Sequence, residues 1–217
     1  MQETFHNLRH QKKKLREAVK KTFGPDDQKK VFTAFDFAQI KHKGQKRDEG
    51  TQYIIHPTRV ARFLLEVVGT WDADMIVSAL LHDVVEDCGV KVKQIEKKFG
   101  KRVGKFVYAL TRVKCKNETQ KEKEQCKISK LLALVHEPME VKLIKCSDIL
   151  DNIRSASDVS FYSPGSKKFP RWDREFKESV NFAKGLHTEI YKEMQKALRV
   201  FEMKRVARGV VRIGKKS

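Results

Sequence analysis

Residues 80–89, LLHDVVEDCG, constrain the fold more than any other stretch, because they place His82, Asp83, Glu86 and Asp87 at the end of an apolar run. The residues just before them, MIVSALL, are typical of a protein core. A buried charge is costly unless it is paired or bound to a metal. The fold must therefore supply partner charges or a cation here, and for His82 and Asp83 taken alone a buried hydrogen-bonded pair is the simpler interpretation.

The hydrophobic pattern predicts an all-α protein, because apolar residues recur at spacings of three and four along most of the chain. Five prolines and eleven glycines punctuate the pattern, and the alternation typical of strands is scarce. Asp26 and Asp72 are predicted to cap helices at their N-termini. The predicted helices span residues 2–22, 29–43, 57–68, 72–87, 91–99, 101–112, 119–136, 139–155 and 173–204.

With 217 residues, the chain is long enough for one domain with a substantial core. We expect a basic N-terminal helix or extension over residues 1–28, a main domain over 29–203 and a basic C-terminal tail over 204–217. Polar loops are predicted at 43–57 and 155–172, and loops of such length are often functional. Whether the second loop is a lid stays open.

The charge balance favours acidic partners: 47 basic and 28 acidic residues give a net charge of +19. Such a surface attracts nucleic acid, phosphorylated metabolites or acidic membranes, although simple solubility explains it equally well. The N-terminus lacks the apolar centre of a signal peptide. No apolar stretch approaches the ~20 residues needed to cross a bilayer, so we expect a cytoplasmic protein without a membrane partner. Four scattered cysteines, with no CxxC pair, indicate reduced thiols.

A candidate metal site follows from the helix predicted over 72–87. Residues three and four apart share a helix face, so its histidine and carboxylates project together from the C-terminal end. The helix dipole disfavours carboxylates at that end, so a cation is expected to offset them.

Further ligands come from distant segments. His56 stands 26 residues before His82, and Asp148 stands 65 residues after Asp83 on another amphipathic helix. Two imidazoles and two carboxylates suit Mn²⁺, Fe²⁺, Zn²⁺ or Mg²⁺ better than a soft metal.

The order H…HD…D resembles that of the HD-domain metallohydrolases. More narrowly, the segments HKGQKRDEGTQYIIHPTRVA, ALLHDVVEDCGVKVKQIEKKFGKRV and VKLIKCSDILDNIRS are similar to the hydrolase domain of RelA/SpoT-type enzymes and to the small stand-alone alarmone hydrolases. The resemblance covers roughly residues 29–155 and, more weakly, 160–190. It implies an HD-domain helical bundle around one metal site, with Mn²⁺ as cofactor and other divalent metals as alternatives, and makes 29–203 an HD-type hydrolase domain.

The resemblance also implies an activity: removal of the 3′-pyrophosphate of guanosine tetra- or pentaphosphate, giving GDP or GTP and pyrophosphate. The expected partner is then a phosphorylated guanine nucleotide. The chemistry is consistent, because a divalent metal activates water and a nearby carboxylate takes its proton. The implied roles are metal binding for His56, His82, Asp83 and Asp148, catalysis for Glu86 and Asp87, and substrate binding for Arg47 and Asn152.

Three positions depart from the family's usual pattern. Asp48 follows Arg47 where a basic residue is usual, Ile149 replaces a basic residue, and Asp151 replaces a histidine or an aromatic residue. The metal ligands are intact, so these changes bear on substrate choice. Two alternatives stay open: a phosphohydrolase for another phosphorylated nucleotide such as NADPH, and a basic nucleic-acid-binding module with a vestigial metal site. The sequence predicts no oligomeric state.

Overall fold

The computed structural model of the chain describes residues 2–112, 119–158 and 168–207. Within these ranges the chain is helical, and its extended pairing is limited to an isolated antiparallel bridge between Lys46 and Gln52. The predicted all-α class is therefore confirmed. The helices are α1 (Gln2–Phe5), α2 (Leu8–Thr22), α3 (Pro25–Lys41), α4 (Ile55–Phe63), α5 (Ala73–Leu81), α6 (Val84–Cys88), α7 (Val92–Phe99), α8 (Lys101–Leu110), α9 (Gln120–Ala133), α10 (Met139–Asp158), α11 (Lys168–Ala183) and α12 (Thr188–Ala207).

Helix α10 is the centre of the bundle, because it packs against α4, α5, α8, α11 and α12. In α5 every residue except Asp74 is buried, which agrees with its apolar sequence, since a helix that is apolar on all sides belongs in a core. Among the helices described, none has both the length and the apolar character to cross a bilayer. The packing of α4, α5 and α10 brings three distant segments of sequence together.

The helix predicted over 72–87 is wrong as a single element, because His82 and Asp83 form a turn between α5 and α6. The carbonyl of Asp83 accepts a hydrogen bond from the amide of Asp87 at 2.8 Å and so begins the next helix. Glu86 and Asp87 therefore lie in the first turn of α6. Because α6 has only five residues, this turn is also its last, so the penalty expected for carboxylates at the end of one long helix does not apply.

The helix predicted over 173–204 is also two helices. α11 and α12 form a hairpin, and Gly185 between them has a φ of 81°, a conformation that residues with a Cβ rarely adopt. Across the hairpin, Phe176 contacts Phe201 edge to face with ring centroids 5.2 Å apart.

Other boundaries also differ from those predicted. The predicted N-cap at Asp26 is wrong, because Gly24 occupies that position and Pro25 begins α3. The helix predicted over 2–22 is interrupted between α1 and α2, and α4 begins at Ile55, before the predicted start. The loop predicted over 155–172 is helical at both ends; residues 159–167, and with them the question of a lid, lie outside the described ranges. The domain boundaries at residues 28 and 203 stay predictions.

Asp72 caps α5 as predicted. Its Oδ1 accepts hydrogen bonds from the amides of Asp74 at 2.9 Å and Met75 at 3.3 Å. Arg102 of α8 donates to both of its carboxylate oxygens, at 2.9 and 2.6 Å. One side chain thus begins α5 and joins it to α8.

We predict that Asp72→Ala lowers the free energy of unfolding by about 1–2 kcal/mol, because it removes the cap. For a chain of this size, each kcal/mol lowers Tm by roughly 2–4 °C. The control is Asp72→Asn, which keeps a capping oxygen and loses only the charge; it should cost less, because partly exposed ion pairs are weak. Calorimetry that gave the two variants the same Tm would contradict this assignment.

Candidate metal centre and active site

Four of the predicted site residues converge where α4, the α5–α6 turn and α10 meet. One ligand atom from each of His56, His82 and Asp148 lies within 4.8 Å of the others, and all three residues are buried. Asp83 joins them, since its Oδ2 lies 3.0 Å from Nε2 of His82 and 3.6 Å from Nε2 of His56. The structure therefore brings together the four residues predicted as metal ligands, whose role stays a prediction.

The two imidazoles are held in the tautomer that metal binding requires. Nδ1 of His82 lies 2.8 Å from the carbonyl oxygen of Ala79, which only accepts, so this nitrogen carries the proton. Nδ1 of His56 donates to Oδ2 of Asp151 at 2.7 Å. In the neutral rings both Nε2 atoms carry lone pairs, and they face each other at 3.2 Å. Such outer hydrogen bonds are typical of histidines that bind metals, and the donor set fits a divalent cation.

The electrostatics of the cluster favour positive charge. Burial alone would lower the pKa of His82, but Asp83 and Asp148 outweigh it and raise that pKa to about 9. Burial would raise the pKa of Asp83, but the neighbouring imidazoles hold it well below its usual range. The pKa of Asp148 is lowered too, because Lys145 and the imidazoles outweigh the effect of burial. Both carboxylates are thus ionised and can bind a cation.

The acidic pair of α6 borders this cluster. Oδ2 of Asp87 lies 3.0 Å from the hydroxyl of Tyr53, which also contacts Oδ2 of Asp83 at 2.7 Å. Burial, then the two aspartates, raise the pKa of Tyr53, so the phenol stays protonated and donates. Glu86 accepts a hydrogen bond from the amide of Arg112 at 3.1 Å. The two carboxylates therefore face the cluster with different partners.

The two residues predicted to bind substrate contact each other. Nη2 of Arg47 donates to Oδ1 of Asn152 at 3.0 Å, and Nδ2 of Asn152 donates to Oδ1 of Asp148 at 2.7 Å. One helix turn of α10 therefore connects a metal-ligand position to an arginine in the polar loop before α4.

A cavity of about 230 Å³ opens over the cluster, and a neighbouring one of about 350 Å³ shares Arg47, Asn152 and Glu86 with it. Sites for small ligands have comparable volumes. Seven basic and seven acidic side chains line the two cavities, and the basic ones can contact a substrate that carries several negative charges. The cations that line one or both cavities are Lys46, Arg47, Arg112, Lys123, Lys127, Lys130 and Lys145.

The sequence interpretation missed three side chains that organise the site. Tyr53 stands three residues before His56, and Lys145 and Asp151 stand three residues before and after Asp148. Lys145 donates to Oδ2 of Asp148 at 2.7 Å. Because residues three apart share a helix face, their spacing from Asp148 was the available signal for Lys145 and Asp151.

The departures from the family pattern lie in different places. Ile149 lines the cavity over the cluster, and Asp48 lines the neighbouring one. Asp151 is fully buried and contacts His56. Asp151 therefore adjoins the candidate metal centre, and only the other two line the cavities.

The match to the HD domain family covers residues 34–168, well over half of the chain. The chain therefore belongs to the HD domain family, whose helical architecture and paired His-Asp residues it shares.

Several relatives have names that include the hydrolysis of guanosine 3′,5′-bis(diphosphate) or (p)ppGpp. A mouse (Mus musculus) guanosine-3′,5′-bis(diphosphate) 3′-pyrophosphohydrolase, MESH1, is 33% identical over 158 residues, which are 72% of this chain and 84% of the relative. The Aquifex aeolicus enzyme of that name is 38% identical over 132 residues, 60% of this chain and 18% of the relative. The Escherichia coli bifunctional (p)ppGpp synthase/hydrolase SpoT is 34% identical over 140 residues, 64% of this chain and 20% of the relative. The chain thus spans about a fifth of these two bacterial relatives.

Solved structures agree with this family. A structure described as a metazoan orthologue of SpoT that hydrolyses ppGpp and plays a role in starvation responses superposes with a TM-score of 0.66 at 27% identity, covering 84% of this chain and 97% of the other. A Listeria monocytogenes structure superposes with a TM-score of 0.55 at 26% identity, covering 69% of this chain and 97% of the other.

We predict that Mn²⁺ raises the Tm of metal-free protein and that Asp148→Asn removes this rise. A ligand that binds only the folded state stabilises it by about 2.7 kcal/mol at a hundred times its Kd. The matched control, Glu189→Gln, removes an exposed carboxylate of α12 that pairs with Lys192, and it should respond to Mn²⁺ as the unmodified protein does. Thermal melts with and without Mn²⁺ test this, and an unchanged Tm of the unmodified protein would contradict the metal centre.

Proposed function

We propose that this chain is a metal-dependent hydrolase that removes the 3′-pyrophosphate of guanosine tetra- or pentaphosphate, giving GDP or GTP and pyrophosphate. The observation that carries the proposal is the facing pair of Nε2 atoms, 3.2 Å apart, beside two carboxylates under a cavity whose lining includes five basic side chains. The names of the relatives, including the mouse enzyme of which the match covers 84%, support this substrate. A cytoplasmic location is part of the proposal.

The proposed cofactor is Mn²⁺, held by His56, His82, Asp83 and Asp148. A bound divalent cation lowers the pKa of water from ~16 towards ~7 and polarises a phosphoryl oxygen. The protein's contribution is to hold the imidazoles by their Nδ1 atoms and to keep both aspartates ionised. The ligand set alone suits several divalent metals, so Mn²⁺ itself is the finer part of the proposal.

The proposed catalytic carboxylates are Glu86 and Asp87. Both line the cavity over the cluster, within one turn of Asp83, where a carboxylate can orient a water molecule and take its proton. The phenol of Tyr53 donates to the Asp83–Asp87 side of the cluster and limits how these carboxylates move. We infer that Asp87 acts on the proton and that Glu86, held by the amide of Arg112, helps to orient the water.

The basic side chains that line the two cavities are the proposed binding surface for the phosphates. Arg47 and Lys130 line the cavity over the cluster, and Lys127 lines both cavities while donating to Glu175 at 2.7 Å. Cations in such positions neutralise the charge that develops on phosphoryl oxygens. Asn152, between Arg47 and Asp148, is placed to contact the ribose side of a nucleotide whose 3′ group lies at the metal.

A second candidate substrate class is another phosphorylated nucleotide such as NADPH. It is favoured by Asp48, a carboxylate in the lining of the second cavity, and by Ile149, an uncharged side chain in the first. The nucleic-acid-binding alternative is supported only by the net charge of +19, and it gives the buried ligand cluster no role.

We predict that the protein with Mn²⁺ converts guanosine tetraphosphate to GDP and pyrophosphate. Asp87→Asn should lower kcat by about 10²- to 10⁴-fold, the usual contribution of a general base, while the rise of Tm with Mn²⁺ persists. Asp83→Ala should lose both turnover and that rise. Chromatography of the nucleotide products measures the rates, and absence of GDP from the unmodified protein across pH and metals would contradict the proposal.

We also predict the order of substrates: kcat/KM is higher for guanosine tetraphosphate than for NADPH. Added salt should lower kcat/KM for both, because it screens attraction between substrate and the cationic cavity. A panel of nucleotides assayed for released phosphate and pyrophosphate tests the order. If NADPH gives the higher value, the metal chemistry stands and the guanosine substrate does not.

A further inference from the structure

A fully buried arginine lies behind the metal centre, on the side of His56 that faces away from the cavity. Arg59 of α4 is 1% exposed and Asp151 of α10 is 0% exposed. Nε of Arg59 donates to Oδ1 of Asp151 at 2.5 Å, and Nη2 donates to Oδ2 at 2.9 Å. This two-pronged geometry orients a carboxylate more strictly than a single contact does.

Two more of the five N–H donors of Arg59 have partners. Nη2 donates to the hydroxyl of Ser155 at 2.9 Å, and Nη1 donates to the carbonyl of Phe5 at 3.0 Å. The ring of Phe5 covers the guanidinium, with 3.9 Å between the ring centroid and Cζ. Gln11 of α2 holds this end of α1 through a hydrogen bond to the carbonyl of Thr4 at 2.9 Å. The N-terminal helix thus seals the ion pair from water.

A buried ion pair seldom stabilises a fold more than apolar side chains of the same size would. A role other than stability is therefore expected for the pair, and the third contact of Asp151 indicates one. Oδ2 of Asp151 also accepts the hydrogen bond from Nδ1 of His56 at 2.7 Å. Arg59 orients the carboxylate, and the carboxylate orients the imidazole.

Each of the two helices contributes a pair of residues to this arrangement. His56 and Arg59 stand three residues apart on α4, and Asp148 and Asp151 stand three residues apart on α10. Asp148 approaches Nε2 of His56 at 3.2 Å, while Asp151 accepts from Nδ1. One turn of α10 therefore contacts both nitrogens of the same ring.

His82 is oriented by different means, since its Nδ1 donates to the neutral carbonyl of Ala79. An ionised carboxylate makes an imidazole a stronger metal ligand than a neutral carbonyl does. The two histidines of the centre are therefore unequal, and the stronger ligand is the one that depends on the ion pair.

We propose that Arg59 and Asp151 are positioning residues that hold His56 for metal binding and raise the affinity of the centre for its cation. The inference rests on the metal centre of the proposed function and adds a determinant from outside the cavity. Neither residue contacts the substrate, so their effect appears in metal affinity.

The test measures Mn²⁺ affinity without nucleotide, by electron paramagnetic resonance of the free ion. Asp151→Asn keeps an oxygen that accepts from His56 and removes the charge; we expect Kd to rise about 10- to 100-fold, the usual effect of losing an outer partner of a metal ligand. That variant also removes the nearer of the two carboxylates beside Arg59 and leaves only Glu49, whose Oε1 lies 3.9 Å from Nη2, so the double variant Arg59→Met with Asp151→Asn removes both charges of the pair. The rise in Kd should persist in the double variant while Tm in EDTA recovers.

The matched control is Arg154→Met. Arg154 is also on α10, pairs with Glu193 and covers the ring of Phe63, but it does not contact His56. It should change Tm and leave the Kd for Mn²⁺ unchanged.

Two results would overturn the inference: a double variant that binds Mn²⁺ as tightly as the unmodified protein, or an equal loss of affinity in Arg154→Met. If the unmodified protein does not bind Mn²⁺ at all, the metal centre of the proposed function fails first. If the unmodified protein binds Mn²⁺ and one of the two results above is found, only the inference fails and the metal centre stands.

Discussion

Ionisable side chains buried in an apolar interior are tolerated only when their charges and hydrogen bonds are compensated, and this requirement organises the centre of the bundle. His56, His82, Asp83 and Asp148 meet where three helical segments pack, and each of the four has a further polar partner outside the cluster. The partners leave both Nε2 atoms facing each other. A divalent cation would satisfy both lone pairs and both carboxylates at once, whereas a proton on Nε2 of His82 is shared with Oδ2 of Asp83, 3.0 Å away.

Helix α10 carries most of the compensation within a short stretch. Lys145 donates to Asp148, Asn152 connects Asp148 to Arg47, and Asp151 accepts from His56. Because these side chains belong to one rigid helix, a shift of α10 would move the proposed metal ligand, the proposed substrate contact and the outer carboxylate together. The central position of α10 in the packing opposes such a shift.

Periodicity and capping rules predicted the helical class and the cap at Asp72, and the order of histidines and aspartates predicted which side chains would meet. They did not predict the break at His82 and Asp83, because the apolar pattern continues through it and the turn depends on tertiary contacts. Tyr53 was missed for a similar reason: its role depends on a hydroxyl that reaches Asp83, 30 residues away. Local patterns carry no information about such distant partners.

Asp151 departs from the family pattern, and its role can be understood only together with the residue that it contacts. In the sequence it stands two residues after Ile149 and next to Asn152, which suggested an effect on substrate choice. In the structure its partner is Arg59, 92 residues earlier in the chain, and both are buried behind His56. A new carboxylate there without the arginine would be an unpaired buried charge, so the two residues are meaningful only as a pair. Differences in substrate choice must then be sought at Asp48 and Ile149, which line the cavities.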